Sequence, residues 1–191
     1  MSTGVPFLPS KKSAFGVPRK RKRQRVEDSS NANACDIFLG GACNPTTWRK
    51  DIAMGFLSSE GVSFYNPQVD NWTPDLVEVE AKAKKNARIL FFVVGPETRG
   101  IASMVEVAEL VVTRNARVVP VIIDVPSDGS TGDFSSSEIK DLNRGRCYLR
   151  NECKRFGVTC FDDIQTALAH AVKMIKAPTG VAASSLAEEC K

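Results

Sequence analysis

Apolar positions along the chain fall into short dense runs separated by stretches of helical period. The densest run is Ile89-Leu90-Phe91-Phe92-Val93-Val94, closed by Arg88 on one side and a Gly95-Pro96 turn on the other. It predicts a strand buried on both faces. After the turn Gly95 to Gly100, the positions of Met104, Val105, Ala108, Leu110, Val111 and Val112 predict an amphipathic helix from Ile101 to Val112, with Glu106 and Glu109 near its start. Upstream, Asp36-Ile37-Phe38-Leu39 runs as a strand into Gly40-Gly41, and Thr46 or Thr47 can cap a helix from Trp48 to about Ser59. Gly61 ends that helix and Val62 to Tyr65 reads as a second strand. The polar loop Asn66 to Pro74 holds prolines that delay the next helix to Asp75–Ala87. In that helix Leu76, Val79 and Ala83 share one face, while Glu78, Glu80, Lys82, Lys84 and Lys85 read as a solvated surface.

Arg117 to Val125 predicts a fourth strand, with Pro120 at odds with an interior position. Pro126 to Ser137 reads as a mobile loop, and Ser136 or Ser137 caps a short helix through Leu142. Cys147-Tyr148-Leu149 and Val158 to Phe161 are weak strand candidates. The second is preferred as strand five, because Asp162 and Asp163 open a final helix, Ile164–Lys176. His170 in that helix reads as a structural histidine.

Strands alternating with helices predict an α/β fold: three-layer and flavodoxin-like, with a five-stranded parallel sheet in the order 2-1-3-4-5. Strands 1 and 3 then flank the point where the order reverses, the usual ligand crevice of such sheets, and Glu106 is delivered to that edge. Gly40 and Gly41 would let backbone amides approach a ligand there, although a tight turn alone also needs glycine.

Charge changes the picture at the N-terminus. Eight of the 26 Lys and Arg lie between Lys11 and Arg25, with no acid among them, and the remaining chain holds more acids than bases. The globular part therefore lacks an electrostatic footprint for nucleic acid. Residues 1–33 are predicted to be disordered. Their cluster Arg19, Lys20, Arg21, Lys22, Arg23 and Arg25, preceded by Pro18, suits a nuclear import receptor, with contact to polyanions second and a merely solvated tail as the plain alternative. The folded domain is placed at 34–178 and a loose tail at 179–191. No run of apolar residues suits secretion or a membrane span. The six cysteines make no C-x-x-C pair and find no His partner at zinc spacing, since His170 is the single histidine. They read as free thiols in a reducing compartment, and the expected location is nucleus, cytoplasm or both. No metal and no cofactor are expected.

Three segments together carry a family likeness: Ile37 to Gly41 with Thr46-Thr47-Trp48-Arg49; Tyr65-Asn66-Pro67-Gln68 with Asp70 and Trp72; and Ala102-Ser103-Met104-Val105-Glu106. They resemble the nucleoside 2-deoxyribosyltransferase-like superfamily over about Asp36 to Met174. The resemblance implies a deoxynucleoside or deoxynucleotide substrate and Glu106 as a nucleophile on the anomeric carbon. It also implies an acid that protonates the departing base, with Glu80 in that place and Asp70 and Asp75 as rivals. By the same resemblance, Gly40, Gly41, Asn44, Thr46, Asn66 and Gln68 are expected to bind substrate. Trp72 could stack on a base, and Arg99 with Ser103 could grip a phosphate. Relatives often complete the site with a neighbouring subunit, so a homo-oligomer is implied. One departure stands out, because relatives carry a strand-1 tyrosine where this chain has Ile37 and Phe38. Two readings follow: an N-deoxyribosyl hydrolase or transferase, or a nuclear nucleotide-binding module without turnover.

Overall fold

The computed structural model describes residues 35–69, 71 and 73–177. The cluster Arg19 to Arg25, Asp70, Trp72 and the tail 179–191 lie outside the described residues. Among the described residues four strands form one parallel sheet: β1 (Ile37–Gly41), β2 (Phe64–Tyr65), β3 (Ile89–Val94) and β4 (Val118–Ile122), in the order β2-β1-β3-β4. Five α-helices accompany them: α1 (Met54–Ser59), entered through a π-helical turn at Arg49–Ala53, then α2 (Leu76–Asn86), α3 (Ile101–Arg114), α4 (Ser136–Arg155) and α5 (Ile164–Lys176).

The alternation of strand side chains divides the core into two layers. Ile37 and Leu39, with Phe91, Val93, Val119 and Val121, face Trp48, Ala53 and Leu57 on one side and Ala167, Leu168 and Ala171 of α5. Phe38, Leu90, Phe92, Val94 and Ile122 face the other way, onto Ala83 of α2, Val107 and Val111 of α3, and Leu149 and Cys153 of α4. The result is the expected three-layer arrangement, with β3 buried along its whole length.

The sheet departs from expectation at its far edge. The predicted fifth strand is reduced to a single parallel bridge between Val121 and Phe161, held by Phe161 N–H to the Pro120 carbonyl (3.0 Å) and Ile122 N–H to the Phe161 carbonyl (2.8 Å). Those two bonds show that residue 120 points its backbone toward this edge. The next rung would need an N–H at 120 to reach the carbonyl of Thr159, and proline has none, so the ladder stops after one rung.

The region after the Ser/Gly/Asp-rich loop also differs. Instead of a short helix ending at Leu142, α4 runs unbroken from Ser136 to Arg155, which takes in the weak strand candidate Cys147–Leu149. Ser135 and Glu138 close a reciprocal capping box at its start, and Ile139, Leu142, Arg146, Leu149 and Cys153 recur on its buried side. Helix α2 is packed more thinly than its pattern predicts: within it only Ala83 is buried, and Val79 is 38 % exposed. His170 packs against the Phe161 ring, centroids 5.1 Å apart. Cys35, Cys43, Cys147, Cys153 and Cys160 are free thiols, and Cys190 lies outside the described residues. Among the described residues no helix is long and apolar enough to cross a membrane.

Candidate functional site

β1 pairs with β2 on one side and β3 on the other, so the order of connections reverses between β1 and β3. Gly40 and Gly41 end β1 at this point. A Cβ on Gly40 would collide with the Phe92 ring, and one on Gly41, whose φ is 106°, would collide with the Val93 backbone carbonyl. Close packing of β1 on β3 therefore accounts for both glycines, with the unusual φ adding a second constraint at Gly41.

The loop beyond them is gathered by a residue given no role in the sequence reading. Arg49 is fully buried. Its Nε donates to the Leu39 carbonyl (3.0 Å), Nη2 to Gly41 (2.8 Å), and Nη1 to Ala42 (2.8 Å) and the Thr46 hydroxyl (3.4 Å). The guanidinium also lies 4.6 Å from the centre of the Trp48 ring. Burial pulls its pKa below the ordinary arginine value, opposed by Cys43 and Glu80. A sequence signal existed, since a cation in the first turn of a helix opposes the helix dipole and needs another reason to be there.

Several predicted binding residues meet around this loop. Thr46 is buried and donates to the carbonyls of Ala42 (2.8 Å) or Cys43 (3.0 Å). The Gln68 amide donates to the Cys43 carbonyl, to Thr46 O (3.1 Å) and to Asn44 Oδ1 (3.3 Å), strapping the loop after β2 onto the loop after β1. Asn66 Oδ1 in turn accepts from the Gln68 backbone N–H (3.0 Å). Asn44, Thr46, Asn66 and Gln68 line one open groove of about 590 Å³, together with Lys50 and Met54 from the opening helix.

The two candidate carboxylates stand on the other face of the sheet. Glu106 is the sixth residue of α3, so it sits in the second turn and not in the first. Its carboxylate is held by the Lys84 ammonium from α2, with side chains 33 % and 25 % exposed respectively. Lys84 also lies 5.5 Å from the centre of the Phe38 ring. That ring stacks between Tyr65 (5.6 Å) and Phe92 (5.9 Å). Glu106 is thus linked to β1 through Lys84 and Phe38, two residues back from Gly40. Glu80 precedes Lys84 by one helical turn, which puts both on one side of α2. Its charge reaches Tyr65 and Cys43: burial raises the Tyr65 phenol and Glu80 raises it further, and burial raises the Cys43 thiol with Arg49 opposing and Glu80 adding. The Tyr65 phenol of β2 stands beside Phe38.

The remaining candidates are spread more widely. Ser103 is buried in the first turn of α3. Arg99 is engaged with Glu138 at 2.9 Å and lies over the Phe134 ring at 5.2 Å, which ties it to the start of α4. The Glu138 carboxyl is pushed down to about 2 by the Ser135 backbone N–H, then Arg99 and the Ser135 hydroxyl. Behind the turn after β3, buried Arg146 donates to the carbonyls of Gly95 (2.9 Å), Thr98 (3.1 Å) and Ile123 (2.9 Å). Asp70 and Trp72 lie outside the described residues.

Residues 34–125 match the family described as Nucleoside 2-deoxyribosyltransferase like. The match spans the four strands, α1 to α3 and Glu106, and it stops before α4 and α5, short of the Met174 limit expected from the resemblance. No curated protein matches the chain. The family description points to deoxyribosyl chemistry and a nucleoside substrate.

Proposed function

We propose, on the premise of that family match, that the protein is an N-deoxyribosyl hydrolase or transferase acting on 2′-deoxynucleosides or their 5′-monophosphates. One observation carries the reading: a partly exposed glutamate, Glu106 on the helix after β3, is tied through Lys84 to Phe38 of β1, the strand at which the order of connections reverses. The Glu106 carboxylate attacks the anomeric carbon while the bond to the base breaks, giving an ester-linked deoxyribosyl enzyme. Glu80 gives its proton to the departing base, with Asp70 and Asp75 as alternatives. Water or a second base then attacks the same carbon, its proton returns to the acid, and the Glu106 carboxylate leaves. Asn44 and Asn66 line the separate groove at the loop after β1, which Gln68 braces.

The test is release of free base from 2′-deoxynucleosides and 5′-monophosphates by wild type and Glu106→Gln. Release by wild type and none by the variant supports the proposal, and a covalent adduct of deoxyribose mass on Glu106 would locate the chemistry. Equal release by both sinks the assignment. A nucleotide-binding module without turnover is the second reading, favoured by Ile37 and Phe38 where the resemblance implies a strand-1 tyrosine and by the ion pair on Glu106. Ligand binding with no release from any substrate would select it. For the cluster Arg19 to Arg25, nuclear import is proposed, tested by the location of a fluorescent fusion with and without residues 18–25.

A further inference from the structure

Lys84 is the cation in direct contact with the carboxylate assigned the nucleophilic step. It reaches across from α2 to α3, sits one turn after Glu80, and rests over the Phe38 ring. Two other cations near the site are committed elsewhere: Arg49 to backbone carbonyls, and Arg99 to Glu138. An ammonium on Oε1 draws charge from the carboxylate and makes it a weaker nucleophile. An ion pair this open to water is also weak, and lysine is a compact charge on a flexible stem, so a stronger anion can take it.

We propose that Lys84 is a substrate-responsive latch and the specificity-determining residue of the site. It holds Glu106 until the phosphate of an incoming 2′-deoxynucleoside 5′-monophosphate draws it off, which frees the carboxylate only when a phosphorylated substrate is in place. The exchange moves no proton: one ammonium–carboxylate contact is replaced by one ammonium–phosphate contact. The proposal rests on the reading of Glu106 above and selects the phosphorylated member of the two substrate classes named there.

The experiment compares full-length wild type, Lys84→Met and Lys84→Arg on a 2′-deoxynucleoside and its 5′-monophosphate, after circular dichroism has shown each variant folded. Wild type is expected to favour the monophosphate in kcat/KM. Lys84→Met should shrink that preference by about tenfold or more, the scale of one charge-assisted contact, with the larger loss on the monophosphate, and Lys84→Arg should restore part of it. Equal losses on both substrates, or no wild-type preference, would overturn the latch while leaving Glu106 chemistry standing. Should no variant release base, the enzymatic reading fails, and the latch is then judged by calorimetric binding of 2′-deoxyribose 5-phosphate. Weaker binding to Lys84→Met than to wild type supports it, and equal binding overturns it.

Discussion

Replacing Arg49 by methionine tests whether a buried cation bonded to backbone carbonyls holds the loop after β1. The side chain donates to three backbone carbonyls, Leu39, Gly41 and Ala42, and to the Thr46 hydroxyl. Each bond from a charged donor contributes roughly 1.5–3 kcal/mol, and buried carbonyls left without a donor lose that outright. Against this, methionine removes the cost of desolvating a guanidinium, which is several kcal/mol. The difference leaves a net loss of about 3 kcal/mol for Arg49→Met. In a domain of this size that lowers Tm by roughly 10 °C. Arg49→Lys keeps the charge but loses the planar fork, so it should fall between wild type and methionine. Urea titration with unchanged m-value, alongside thermal melting, reads both variants. A methionine variant within about 1 kcal/mol of wild type, or a lysine variant equal to it, would refute the argument that fork geometry secures this loop.

Gly41→Ala should cost about 2 kcal/mol or more, because φ 106° and the Val93 carbonyl both oppose a Cβ, and urea midpoints against Gly55→Ala, which has open space, would check it. Pro120→Ala restores an N–H facing the sheet edge, so hydrogen exchange at residue 120 should show protection through the Thr159 carbonyl. Rapid exchange there would show that something else ended the ladder. Glu138 has a folded-state pKa held down to about 2, below its unfolded value of about 4.3, so its contribution is present above that value and disappears as pH falls toward 2. Glu138→Gln should flatten that part of the acid limb of α4 helicity, and an NMR titration midpoint near the ordinary glutamate range would contradict it.

The three long strands could be read from the chain because β3 and β4 are buried on both faces and announce themselves as apolar runs, while β1 is a short apolar run closed by two glycines. The fifth strand was misjudged because Val158 to Phe161 has strand-like residues, while the obstacle, Pro120, sits in its partner. Only the first part of α4, through Leu142, was legible, since the buried face beyond it includes Arg146 and Cys153 and its period does not register as apolar. Lys84 read as solvated for the opposite reason. Its polar side of α2 turns toward Glu106, and no property of a single helix reveals what a second helix will present to it. Arg49 and Gln68 act almost entirely on backbone carbonyls, which every residue carries and no sequence pattern marks.

The two buried arginines have a bearing on how any pH profile of this protein is to be interpreted. Arg49 and Arg146 fasten the loops at the carboxyl ends of β1, β3 and β4 to peptide oxygens, which do not titrate. Although burial lowers both guanidinium pKa values, an arginine stays charged throughout the working range. The frame around the crevice is therefore indifferent to acidity, and a bell-shaped rate curve measured between mild acid and mild base would report on the side chains inside it.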